Sequence, residues 1–228
     1  MVLCKGPDRC TVCNPDNGHL SKDDGIYKTG DIGMIFASVK QPLQYQIDEA
    51  KLSRAASKVT AQRFRDACTE MESRADGGKL RPCLILAPGP DDTDPSIPAD
   101  KRRPSPVGLM ATFGLSDISK FPRGVRHHLV PIHTTNAQLG KREHLHTTPD
   151  WDGRSPQYII AYEYFPTMHK VISHFRSPQS VRMPDGTNYS VESEAVSDFR
   201  QLCVKRTRAW QNQTEDNKKK DAKDLLVS

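Results

Sequence analysis

The stretch GGKLRPCLILAPG, residues 77 to 89, restricts the fold more than any other part of the chain. Two glycines end whatever precedes it and a proline-rich run ends it, so Cys83-Leu84-Ile85-Leu86 is too short for an ordinary helix. A continuous apolar run of this kind is a strand covered on both faces, and the fold must place material on each side of it. The strand opens on Arg81-Pro82. Proline fixes its own φ and pushes the preceding residue toward extended backbone, so Arg81 is held at the strand entrance and is offered to something anionic. A purely structural arginine is the alternative.

Other strands follow from alternation. YKTGDIGMIFASV starts one after Gly30, with Ile32, Met34 and Phe36 on one face. Residues 107 to 113 form a short strand, HHLVPIHT at 127 to 134 a stronger one, and residues 157 to 165 and 169 to 175 two more. On a strand, His127 and His128 point to opposite faces, as do His169 and His174, the latter two read as surface residues. Leu43, Ile47, Leu52, Ala55, Val59, Phe64, Cys68 and Met71 recur at helical spacing, which predicts an inserted helix over 43–74 ended by Asp76-Gly77-Gly78. A last helix near 190–210 has Glu192 and Glu194 in its first turn, Lys205, Arg206 and Arg208 in its last, and Val196, Phe199, Leu202 and Cys203 as its inner stripe.

Proline at every few positions keeps 88–106 out of any helix or central strand, and 136–156 reads as a second polar loop whose His144 and His146 face water, contact with a ligand being the alternative. The expected organisation is a Cys-rich lead-in (1–24), one mainly β domain with helices (25–210), and a charged, disordered tail (211–228). The composition agrees: only 36% of the 228 residues are hydrophobic and 17 are proline, so much of the chain lies outside a core.

The balance of 33 Lys+Arg against 28 Asp+Glu leaves a net charge of +5, which permits a nucleic-acid partner without demanding one. Lys101, Arg102 and Arg103 on one loop, and Arg123, Arg126 and His128 before a strand, are candidate phosphate contacts; solvated basic loops are the alternative. MVLCKGPDRC lacks the apolar core of a secretory signal and no later run approaches ~20 apolar residues, so the chain reads as soluble and intracellular, cytoplasmic or nuclear, with no membrane partner. In that compartment the crowded thiols are reduced or hold a metal. Cys10 and Cys13 form a CxxC pair that, with Cys4 and His19, can supply four ligands to a structural zinc; exposed reduced thiols are the other reading. Cys83, inside an apolar run, is expected to be buried and inert.

Gly30-Asp31-Ile32, Arg81-Pro82 and Pro131-Ile132, in that order before a terminal helix, resemble the MazF/PemK-like toxin family. The resemblance implies a small, curved, SH3-like β-barrel, usually a homodimer, that cleaves single-stranded RNA without a metal cofactor and answers to an inhibitor protein. Such cleavage uses the substrate's 2′-hydroxyl as nucleophile and needs a base, an acid and a cation near the phosphorus oxygens. Arg81 suits the cation's role, since a guanidinium stays charged and grips two oxygens at once. Where the family carries Thr or Ser after Pro-Ile, this chain carries His133, followed by Thr134, and strand register decides which of them faces the site. The helical insertion is a further departure. It makes a catalytically silent SH3-like binding module the competing reading, with a scaffold built on the 43–74 helix as a third.

Overall fold

The structure, a computed structural model, describes residues 27–39, 79–89, 104–112, 123–134, 143–151, 156–166, 171–175 and 187–214, together with the pairs 21–22, 96–97 and 216–217 and the single positions 42, 118 and 220. The predicted helix at 43–74, the Cys4, Cys10, Cys13 and His19 set, and the Lys101 to Arg103 knot lie outside the described residues.

Eight strands and two helices are described: β1 (Ser21–Lys22), β2 (Ile32–Ala37), β3 (Lys79–Ile85), β4 (Val107–Ala111), α1 (Arg123–His128), β5 (Leu129–Ile132), β6 (Gln157–Ile160), β7 (Ser173–His174), β8 (Thr187–Asn188) and α2 (Ser193–Gln211). Six of the strands form one antiparallel sheet in the order β5-β6-β4-β3-β2-β7, while β1 and β8 pair separately. The apolar run of β3 lies inside this sheet, flanked by β2 and β4, as a strand buried on both faces requires.

Alternation sorts the strand side chains into two cores. Ile32, Leu84, Met110, Val130, Ile132 and Ile159 face one cluster, which α2 covers with Val196, Phe199, Leu202 and Cys203. Ile35, Cys83, Ile85, Leu109, Leu129 and Ile160 face the other, with Val125 of α1. Gly108 lets α2 approach: a Cβ there would stand 2.8 Å from Ile159 Cδ1 and 3.1 Å from Phe199 Cε1. Burying a side chain such as Phe199 stabilises the fold by about 1.5–3 kcal/mol. Burial also pushes the Cys83 and Cys203 thiols up, well above the ordinary cysteine range, in accord with inert thiols.

Gly30 and Asp31 have structural roles. Gly30 has φ +96°, and a Cβ on it would lie 2.2 Å from the Val191 carbonyl oxygen, so only glycine fits beside that segment. The Asp31 carboxylate is buried, accepts a hydrogen bond from Lys28 N at 2.8 Å, and lies 3.4 Å from His174 Nε2. His174 is therefore a buried partner of Asp31 and not the surface residue expected.

Several other expectations change. The described chain is α+β, but the sheet is open: no ladder joins β5 to β7 among the described residues. The gap between β5 and the start of β2 is crossed by single bridges only, Ile132 with Leu145, Thr148 with Ser190, and Ser190 with Asp31. These segments meet at one residue each, too briefly for a ladder. The strand expected at 127–134 starts at Leu129, because Arg123–His128 is helical. The strand expected through 165 ends at Ile160, where the chain bends. Among the described residues, no helix is long and apolar enough to cross a membrane.

Candidate functional site

The site begins where β5 ends. Ile132 points into the core, so His133 must point away from it and Thr134 back inward. Thr134 is accordingly buried and is bridged to Trp151. Segment 143–147 then runs beside β5: His133 N donates to the Leu145 carbonyl at 2.7 Å, and Leu145 N donates to the Pro131 carbonyl at 2.9 Å. Leu145 packs in the same core as Ile132, so the flanking His144 and His146 take the side that His133 occupies.

Three imidazoles result in one place. His133 stacks on His146 with centroids 4.4 Å apart and planes 24° from parallel, and its centroid is 5.9 Å from that of His144. His144 Nε2 and His146 Nε2 are 2.7 Å apart, so one donates and the other accepts. After the pair, Thr147 Oγ1 donates to the Pro149 carbonyl at 2.8 Å and tightens a turn. That turn returns Asp150 to the cluster, with Oδ1 3.8 Å from His133 Nδ1. The distance is too long for a hydrogen bond but short enough for the carboxylate's charge to act on the ring.

Exposure divides the cluster. His144 and His146 are buried, whereas the side chains of His133 and Asp150 keep 28% and 49% exposure. Burial, helped by neighbouring His133 and His144, pushes His146 down to about 3, so it is neutral at physiological pH. The expectation that His144 and His146 face water is overturned. The cause is Leu145: its place in the core draws a loop-like sequence against β5 and buries the residues on either side. Alternation in His-Leu-His was the signal available in the sequence.

The predicted catalytic set is not gathered at one point. Arg81 is half-buried in β3, opposite Ile35, and its Nε donates to the Ala37 carbonyl at 3.0 Å. Burial lowers its pKa from the ordinary arginine value. Carrying the register two residues past Cys83 and Leu109 sets Arg81 level with Ala111, then Tyr158, then Pro131. Arg81 and β5 therefore stand three strand spacings apart, about 14 Å along the sheet.

The predicted phosphate contacts also divide. Arg123 and Arg126 are exposed on α1, Arg123 donating to Gln213 Oε1 at 2.6 Å. His128 is 1% exposed beneath Trp210, with ring centroids 6.2 Å apart, and both of its ring nitrogens lack hydrogen-bond partners. Desolvation, with His127 and Arg206 nearby, pushes His128 down to about 3. It cannot reach a phosphate from there, because a helical turn has replaced the expected strand and swung the ring into the core.

No family model matches this chain, and no curated protein or solved structure does either.

Proposed function

We propose that the chain is a metal-independent endoribonuclease acting on single-stranded RNA, built on a variant of the SH3-like barrel, with His133 as its proton-handling residue. The observation that supports this reading is the placement of one reachable imidazole, His133, between the Asp150 carboxylate and the neutral ring of His146.

In the proposed step His133 takes the proton of the ribose 2′-hydroxyl while that oxygen attacks phosphorus. A 2′,3′-cyclic phosphate forms as the P–O5′ bond breaks, and the 5′-oxygen leaves as an alcohol with a proton drawn from water. Thr134 faces the core and has no part in this step. Arg81, engaged with Ala37 and three strands away, serves to hold RNA and does not stabilise the cut itself. Arg123 and Arg126 add exposed positive charge for the backbone.

A second reading, a binding module without cleavage, is favoured by that separation of Arg81 from His133. One experiment divides the two: long single-stranded RNA is incubated in EDTA with the parent, His133→Ala and Arg81→Ala proteins, and the ends are mapped. The nuclease predicts cyclic-phosphate ends from the parent, none from His133→Ala, and weakened binding with retained cutting in Arg81→Ala. Intact RNA with salt-sensitive binding supports the module instead.

A further inference from the structure

We infer that His133, His146 and Asp150 form a site for one divalent first-row transition metal ion. The geometry carries the inference. One potential ligand atom from each residue lies within 4.8 Å of the other two. Tetrahedral bonds of about 2.1 Å place donors about 3.4 Å apart, so side-chain adjustments on the order of an ångström bring all three onto one ion. Asp150 and His133 are partly exposed and can make such an adjustment.

Two further observations point to a ligand. His133 Nδ1 is buried and has no hydrogen-bond partner, although a carboxylate oxygen stands 3.8 Å away. An ion between them would satisfy both groups, whereas at present neither the nitrogen nor the oxygen completes the contact. The contact between His144 and His146 supplies the second feature expected around a metal: a neighbour that fixes the orientation and tautomer of a ligating imidazole.

The donor set selects the class of ion. Two imidazoles and one carboxylate suit zinc, cobalt, nickel or iron(II) and not calcium or magnesium, which take oxygen donors. Three protein ligands leave at least one coordination position for water or an anionic oxygen, as in catalytic and not structural zinc sites. The inference does not rest on RNA cleavage. It competes with that reading for one lone pair, because a His133 nitrogen bound to an ion cannot also accept a proton. Metal loading and metal-free cleavage therefore exclude each other at His133.

The test is binding alone, with no RNA present. The full-length chain, stripped with EDTA and dialysed free of it, is titrated with Co2+ by calorimetry and by visible absorption, alongside His133→Ala and Asp150→Asn. Asp150 is exposed, so its variant keeps the fold, which circular dichroism checks. The expected result is one ion with tetrahedral-type visible bands and no thiolate charge-transfer absorption, which separates it from any ion held by Cys4, Cys10 and Cys13. Losing a group that only orients a ligand weakens metal sites about 10–100-fold, so losing a ligand should weaken this one by roughly tenfold or more in each variant. Absence of a thiolate-free ion, or equal affinity in parent and both variants, overturns the inference. Cleavage in EDTA is measured on separate samples, so either proposal can fail while the other stands.

Discussion

His128 and His146 are both buried and both pushed down to about 3, yet their neighbourhoods differ in kind. His128 lies under Trp210 at the end of α1, and no exposed titratable partner shares its hydrogen bonds. His146 stacks on a ring that solvent reaches, and an exposed carboxylate stands beyond it. Burial and a depressed pKa are common to both. What differs is the neighbour: His128 meets the half-buried His127 edge-on and the indole of Trp210, whereas His146 lies flat against His133, beside the exposed Asp150 carboxylate.

The largest expected effect breaks the His128 side of this comparison. Trp210→Ala removes a fully buried indole at the end of α2 and should lower unfolding stability by about 3–5 kcal/mol in urea titrations. A loss below 1 kcal/mol would mean that the helix end does not cover His128 as described.

A pH series sharpens the same side. The fold holds His128 neutral, so its contribution is fully present above the unfolded histidine value near 6.5 and falls as the unfolded chain takes up a proton below it. Between pH 6.5 and 5 the loss is about 1.6 kcal/mol, because the unfolded ring is already half protonated at 6.5 and the full 1.36 kcal/mol per unit applies only below it. His128→Leu should flatten the fall in urea midpoint over that range; His146 contributes in the same direction, so the slope does not vanish. An unchanged slope in the variant would refute the assignment.

The smallest effect belongs to the other histidine site. Asp150→Asn touches an exposed carboxylate and should change stability by no more than about 0.5 kcal/mol, while removing most of the Co2+ affinity. A large loss of stability would make Asp150 a structural residue and erase the contrast with His128.

Legibility followed range along the chain. The β3 run, the start of β2 after Gly30, and the face and extent of α2 could be read from residues a few positions apart, because each is decided by local periodicity and by glycine or proline at its ends; the face expected for β2 did not hold, since Ile35 and Ala37 are buried while Phe36 is exposed. The short helix before β5 could not, since His127 and His128 alternate with a strand's period and only their packing under α2 bends them into a turn. His133 was legible as a candidate from its place after Pro131-Ile132. The alternation in His144-Leu145-His146 was a local signal for a strand-like segment, but its pairing beside β5, which brings those rings and Asp150 to His133, is a contact between segments that no local pattern announces.

By itself, then, the sequence determined that β3 would be covered on both faces, that α2 would lay one apolar stripe on the sheet, and that Gly30 would open β2. Each is a choice between backbone states or between burial and water made within a few residues. Tertiary structure alone decided that Arg81 and His133 would stand three strands apart, that His128 would be closed in, and that three imidazoles and a carboxylate would share one corner. Those outcomes depend on strand register and on a loop held beside β5 by Leu145, and register is an energy of the assembled sheet and not of any single segment.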